Sequence, residues 1–332
     1  MRILVTGGAG FIGSHLSEGL LERGHEVWAL DDLSTGRIEN LRSFERHPRF
    51  RFLEGNVMDQ SLVNGLVAQS DRVYHLAAAV GVKYVLENPL RSLITNIRGT
   101  EVVLQACAEH GRRVVIFSSS EVYGKGVKVP FSEDDDRLMG PTSKLRWSYA
   151  AGKAVDECLA QAYWQQQQLP VTVVRCFNTC GPRQSSAYGM VIPNMIQRAL
   201  RHEPILVYGD GQQSRCFSAV SDVVCGVMLL ADCKGTEGEI YNIGTDEEVT
   251  VLNLAQRIKM LCQSASAIEL VAYEDIYGSS FEDMRRRVPN LAKVRRTVGY
   301  EPQVALDQLL EITIVDTCEQ MRLPVPAGLA TA

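Results

Sequence analysis

Arg2-Ile3-Leu4-Val5-Thr6-Gly7-Gly8-Ala9-Gly10-Phe11-Ile12-Gly13 opens the chain, and its reading decides the architecture. Arg2 to Thr6 is a short apolar, partly β-branched run, the composition of a buried strand. Glycines 7, 10 and 13 follow with the spacing G-x-x-G-x-x-G, and a helical pattern continues to about Glu22. A strand, a glycine turn and a helix N-terminus together make a pyrophosphate site. The glycines let backbone approach the phosphates, and the helix end supplies N–H groups and positive potential. Gly7, Gly10, Phe11, Ile12 and Gly13 are therefore candidate dinucleotide contacts.

Strands and helices alternate from there. The second strand, His25 to Leu30, ends at Asp31-Asp32, where an acid can accept bonds from ribose hydroxyls and repel a 2′-phosphate. That favours NAD over NADP; a helix-capping aspartate is the other reading of Asp31. Phe50 to Glu54 reads as a strand, and Asn56 and Asp59 flank a helix start. Arg72 to Ala79 reads as a buried strand ending in small residues, suited to close approach of a dinucleotide at Leu76, Ala77 and Ala78. A helix is expected over 93–110 and a strand over 113–117. This order predicts an α/β fold, a Rossmann-type doubly wound parallel sheet. The expected division is a nucleotide-binding domain over 1–175, with later segments returning to it, and a smaller C-terminal α/β substrate-binding lobe over 176–325.

Two further stretches carry chemistry. Tyr149-Ala-Ala-Gly-Lys153 puts a phenol and an ammonium one helical turn apart, on one face. Lys153 is expected to favour the phenolate, which makes Tyr149 a general base. The predicted strand 114–117 delivers Ser118-Ser119-Ser120-Glu121 to its carboxyl end, where parallel sheets place their chemistry.

The bulk properties exclude several classes. A net charge of -5, with Arg285-Arg286-Arg287 as the only tight basic run, argues against nucleic-acid binding. No apolar run is long enough to span a membrane, and no signal peptide is read at the N-terminus. The nine cysteines are odd in number and scattered, which fits a reduced, cytoplasmic setting. Cys176 and Cys180 lack a second ligand pair, so they read as core thiols and no metal is expected.

Taken together, Thr6 to Gly13, Leu30-Asp31-Asp32-Leu33, His75-Leu-Ala-Ala78, Asn96-Ile-Arg-Gly-Thr100, Ser119-Ser-Glu-Val-Tyr-Gly124, Tyr149-x3-Lys153, Phe177-Asn178, Gly181-Pro-Arg183 and Tyr208-Gly-Asp-Gly211 resemble the extended short-chain dehydrogenase/reductases. Within these the chain is similar to the nucleotide-sugar epimerases, dehydratases and decarboxylases over nearly its whole length. The resemblance implies NAD as cofactor, with Asn56, Val57 and Asn96 among its contacts. It implies Ser119, Ser120, Glu121, Tyr149 and Lys153 as the catalytic set, and Asn178, Val207, Tyr208, Arg215 and Arg287 as contacts to a nucleotide sugar, most simply a UDP-sugar. A surface salt bridge is the alternative for either arginine. It also implies a homodimer through two helices, with Val102, Val103 and Cys107 on one and Ala154, Cys158 and Ala162 on the other. Packing of those residues on the chain's own sheet is the alternative.

The branch follows from smaller features. Ser120 stands where dehydratases carry an aspartate, which argues against dehydration. Ser120-Glu121, Arg146-Trp147 and Arg287-Val-Pro289 resemble UDP-glucuronate decarboxylases. The segment from Ala77 to Val82 lacks the proline of that group. With Phe281-Glu-Asp-Met284 it resembles bacterial UDP-sugar 4-epimerases. The sequence therefore favours an NAD-dependent 4-epimerase of UDP-glucuronate or UDP-glucose, acting through a 4-ketosugar. A UDP-xylose-forming decarboxylase is the alternative, and an intact Ser–Tyr–Lys set argues against a non-catalytic NAD sensor.

Overall fold

The computed structural model describes residues 1–187, 189–277 and 282–329. Its main sheet is parallel and has seven strands: β1 (Arg2–Thr6), β2 (Glu26–Asp31), β3 (Phe50–Glu54), β4 (Arg72–His75), β5 (Arg113–Ser119), β6 (Val171–Cys176) and, far along the chain, β11 (Ile240–Ile243). The order is β11-β6-β5-β4-β1-β2-β3, so the winding reverses between β1 and β4. A crevice opens at the carboxyl ends of strands at such a reversal. Thr6-Gly7, Asp31, Leu76 and Ser119 all lie at or just beyond those ends.

Alternation along the strands builds a core on each face. Ile3 and Val5 pack with Leu16 and Leu20 of α1 (Phe11–Glu22) and with Val223 and Val227 of α7 (Val220–Asp232). Leu4 faces the other way, into a core with Val63 and Val67 of α2 (Gln60–Ala68) and Val102 and Val103 of α4 (Pro89–His110). Asp59 caps α2, accepting the Leu62 N–H at 3.0 Å.

Some boundaries differ from the sequence reading. β4 stops at His75, because the alanines beyond it leave the sheet to line the crevice. α4 begins at Pro89 rather than Leu93, with proline in its first turn, and a short α3 (Val82–Glu87) precedes it. Val102, Val103 and Cys107 are fully covered within the chain, so the expected interface stripe on α4 is core instead. On α5 (Ser148–Gln167), Cys158 and Ala162 are exposed.

A second core gathers α6 (Val191–Leu200), α8 (Val251–Leu261) and α11 (Leu306–Met321) around the parallel pair β8 (Ile205–Tyr208) and β13 (Ile268–Val271). Two short strands, β7 (Thr179–Cys180) and β10 (Ser218–Ala219), pair beside it. A three-stranded sheet sets β12 (Glu248–Thr250) antiparallel and β14 (Arg286–Arg287) parallel to β9 (Ser214–Cys216), with Arg287 in register with Arg215. Short helices α9 (Tyr273–Tyr277) and α10 (Ala292–Val298) also lie in this half of the chain. In the tail, Val325 and Leu329 pack on this core; Ala330 to Ala332 lie outside the described residues. Among the described residues no helix is long and apolar enough to cross a membrane.

Candidate active site

One cavity of about 830 Å³ runs from the glycine turn to β9 and β14. Its near end is built from backbone. Gly7 adopts φ +73°, and a Cβ on Gly13 would stand 2.0 Å from the Gly7 carbonyl oxygen. The turn and helix therefore meet at a distance only glycine permits. Gly10 occupies the α1 N-cap and no side chain caps the first turn, so the helix end is left to a ligand. This cradle and the acid behind it fit a dinucleotide pyrophosphate and ribose.

That acid, Asp31, caps no helix. Its carboxylate accepts the Ala9 N–H at 3.0 Å and the Leu33 N–H at 2.9 Å, bracing the loops on both sides of the ribose position. Burial raises its pKa, against those two backbone bonds. Asp32 accepts Asn56 Nδ2–H at 3.0 Å, and Asn56 Oδ1 accepts the Met58 N–H at 2.8 Å, so these two hold the β2 and β3 loops together. Val57, Leu76, Ala77 and Ala78 line the cavity as expected. Asn96 does not line it. It is buried, accepting the Ala79 N–H at 2.7 Å and donating to the Ala79 carbonyl at 3.2 Å. It shapes the alanine loop, and its neighbour Thr95 reaches the cavity.

In mid-cavity, β5 ends on Ser119, whose Oγ accepts the Glu121 N–H at 3.2 Å at the start of a 3₁₀ turn over Ser120–Tyr123. Ser119, Ser120, Glu121, Tyr149 and Lys153 all line the cavity. Burial would raise the Glu121 pKa, but Arg146 and Arg287 more than reverse this and hold the carboxyl well below the usual range. Arg146 Nη1 donates to Glu121 at 2.7 Å; Arg287 donates to Glu121 and also to Asn178 Oδ1. The neighbouring pair is Arg215 with Asp283, 2.8 Å apart, with the Tyr273 hydroxyl donating to Asp283 at 3.2 Å. Arg215 is thus a buried and Arg287 a largely covered ion-pair partner at the cavity wall, and neither is a surface salt bridge.

The phenol departs from expectation. Burial raises the Tyr149 pKa, and the pull of Lys153 does not overcome it. Lys153 is itself paired with Asp156 at 3.0 Å, both fully buried, a partner that the Tyr-x-x-x-Lys pattern does not contain. Lys153 stays protonated: burial lowers its pKa, but Asp156 and Tyr149 raise it further.

At the far end, β8 alternates. Leu206 and Tyr208 face the cavity, while Val207 is fully buried in the second core and cannot touch a ligand there. Tyr208 meets Tyr273 edge to face, ring centroids 6.4 Å apart. Cys180 is buried in the second core, yet both it and Cys176 line the cavity; burial pushes both thiols up to about 12. The sequence reading quoted Asp283 within Phe281-Glu-Asp-Met284 without a site role, and it did not single out Tyr273, which no local pattern marks. It quoted Arg146 without a site role. Phe281 lies outside the described residues. Among the described residues no group of His, Cys, Asp or Glu is arranged to hold a metal ion.

A dinucleotide cradle opening onto a Ser–Tyr–Lys corner, on a sheet of this winding, is that of the NAD-dependent short-chain dehydrogenase/reductase enzymes that modify nucleotide sugars. The chain belongs to this group: residues 4–313 match the family described as GDP-mannose 4,6 dehydratase. It is 44% identical to a UDP-N-acetyl-alpha-D-glucosaminuronate decarboxylase of Bacillus cytotoxicus, over 94% of this chain and 96% of that one. It is 37% identical to UDP-glucuronic acid decarboxylase 1 of Danio rerio, over 94% of this chain and 72% of that one. The crystal structure of a UDP-glucuronic acid 4-epimerase from Bacillus cereus, with UDP-glucuronic acid and NAD, superposes with a TM-score of 0.86 at 28% identity, covering 97% of this chain and 100% of that one. These relatives support the decarboxylase alternative better than the epimerase the sequence favoured. NAD is the cofactor.

Proposed function

We propose that the protein removes CO₂ from a UDP-hexuronate through a 4-ketosugar. The observation that carries the reading is Glu121, buried between Arg146 and Arg287 at the cavity wall beside Asn178. An epimerase needs no such carboxylate. NAD, when bound, accepts the hydride from C4 and later gives it back. Tyr149 takes the C4 hydroxyl proton, and the Ser119 hydroxyl bonds the same oxygen. The resulting ketone is β to the C6 carboxylate. The C5–C6 bond can then break, CO₂ leaves, and the electron pair enters the C4 carbonyl as an enolate. A proton added at C5 restores the ketone, and the Tyr149 proton completes the C4 alcohol of a UDP-pentose.

Glu121 holds both guanidiniums in place and partly neutralises Arg287. Arg287 can then orient the sugar carboxylate without holding it in a permanent ion pair, so loss of uncharged CO₂ is not opposed. In this reading Asn178, Arg215 and Tyr208 bind the diphosphate and nucleoside. The lobe boundary falls near residue 175, and the enzyme works in the cytoplasm. Two copies pair through α4 and α5, whose exposed faces carry Leu90, Ile94 and Val155; light scattering at the mass of a dimer checks this.

A 4-epimerase is the second reading, favoured by the proline-free loop from Val80 to Tyr84 and by the likeness to the Bacillus cereus enzyme. Incubation with NAD⁺ and either UDP-glucuronate or UDP-N-acetylglucosaminuronate separates the two by mass spectrometry and proton NMR. A UDP-pentose lighter by CO₂ is expected. A product of unchanged mass, inverted at C4, would establish the epimerase instead.

A further inference from the structure

Beneath the cavity floor lies a buried acid that the proposed chemistry does not use. Asp156 is three residues beyond Lys153 on α5, and its Oδ2 accepts from the lysine Nζ at 3.0 Å, with side-chain exposures of 0% and 3%. Its other oxygen, Oδ1, has no hydrogen-bond partner among the described residues. Well-packed apolar residues would stabilise a helix at least as well as such a pair, so a purely structural role leaves the two buried charges unexplained.

A line of hydrogen-bonded side chains runs beside the pair. The Ala77 N–H donates to Thr6 Oγ1 at 3.3 Å, and Thr6 Oγ1 and His75 Nδ1 share a hydrogen bond of 2.8 Å. Burial lowers the imidazole to about 3, so it is neutral, and its Nε2 shares a hydrogen bond of 3.1 Å with Thr100 Oγ1. The line runs from the alanine loop of the dinucleotide site to Thr100 on α4. Burial raises the Asp156 pKa, and the Lys153 ammonium pulls against it.

We propose that Asp156 is a positioning residue: its carboxylate anchors the Lys153 ammonium and limits how much of that charge reaches the Tyr149 hydroxyl. This rests on Tyr149 being the base. Of the groups around the ammonium, the Asp156 carboxylate takes a hydrogen bond from it and acts on it more strongly than the Tyr149 hydroxyl. Tyr149 therefore stays a phenol until a further positive charge, that of the oxidised nicotinamide, stands beside it. Proton removal is tied in this way to the presence of the oxidised cofactor.

Other charged groups around the phenol set the background. Glu121 opposes its ionisation and is already neutralised by Arg146 and Arg287. Cys176, on β6, stays a neutral thiol. Glu157, next on α5, is occupied by Arg175 at 2.8 Å. Asp156 is the carboxylate that shares Lys153 directly.

The test is a tyrosinate absorbance titration of the NAD⁺-bound protein, with the corresponding Tyr149→Phe variant as blank and no sugar nucleotide present. In Asp156→Asn the Tyr149 signal is expected about one pH unit or more below wild type, and Asp156→Glu should restore it. If Asp156→Asn does not fold, Asp156→Leu, of similar volume, carries the same expectation. A midpoint unchanged or raised on loss of the carboxylate would overturn the proposal while leaving Tyr149 as base. Absence of any Tyr149-dependent signal would remove both. Neither result depends on which sugar reacts.

Discussion

The two ends of the cavity are built from different materials. At the glycine turn the wall is main chain, and what matters is the absence of side chains: Gly13 and Gly7 meet where no Cβ fits. At β9 and β14 the wall is long charged side chains, three guanidiniums on two carboxylates, with Arg146 and Arg287 on Glu121 and Arg215 on Asp283. The first end grips a constant group, a pyrophosphate, and needs only geometry. The second must tell one sugar from another and carry charge through a reaction, so it depends on pairs that exist only in the folded chain.

The largest effect should come where the ends meet. Tyr149→Phe is expected to lower kcat by about 10²–10⁴-fold while NAD binding is kept, as measured by turnover beside a cofactor-binding titration. If turnover survived, mid-cavity would not be the chemical centre. Next is Glu121→Gln, which leaves two buried guanidiniums without their counter-charge. A stability loss of about 3–5 kcal/mol by urea unfolding, with CO₂ release abolished, is expected. The pH sign follows from the depressed Glu121 pKa. Its stabilisation is fully present above the ordinary carboxylate pKa and is lost as pH falls toward its folded value. The variant should therefore unfold with a flatter acid limb, and an unchanged limb would mean that the pair contributes nothing.

Gly13→Ala tests the backbone end. Roughly a ten- to hundredfold loss of NAD affinity is expected, with the β9–β14 corner intact. The smallest pair of effects sharpens the far wall. Val207→Ala should cost about 1–2 kcal/mol of stability with KM unchanged, whereas Tyr208→Ala should raise KM with stability nearly kept. Reversal of that pattern would put Val207 back in the site.

These contrasts also account for what the sequence could show. The backbone end was legible because its motif is contiguous and each glycine has a steric reason. The parallel, doubly wound sheet followed from alternation of the first five strands; β6 and β11, which complete it, were not read, and β11 arrives from residue 240. Val207 was misread because Ile205-Leu-Val-Tyr208 is apolar on both faces, so composition cannot give its phase. Asn96 was misread by one helical position: Thr95 reaches the cavity and Asn96 turns to Ala79. Glu121 was read only through resemblance, and its ion pairs could not be read, since its partners lie 25 and 166 residues away. Lys153 was legible as a cation, but nothing in Tyr-x-x-x-Lys says that Asp156 shares it.

In the proposed reaction the sugar loses its C6 carboxylate at the corner organised by Glu121. The direct measurement is NMR of the enzyme with NAD⁺ and UDP-glucuronate or UDP-N-acetylglucosaminuronate isotopically labelled at C6. Transfer of the label from the sugar to bicarbonate, with wild type and not with Glu121→Gln, is the expected result. Label retained on a C4-inverted sugar would contradict it.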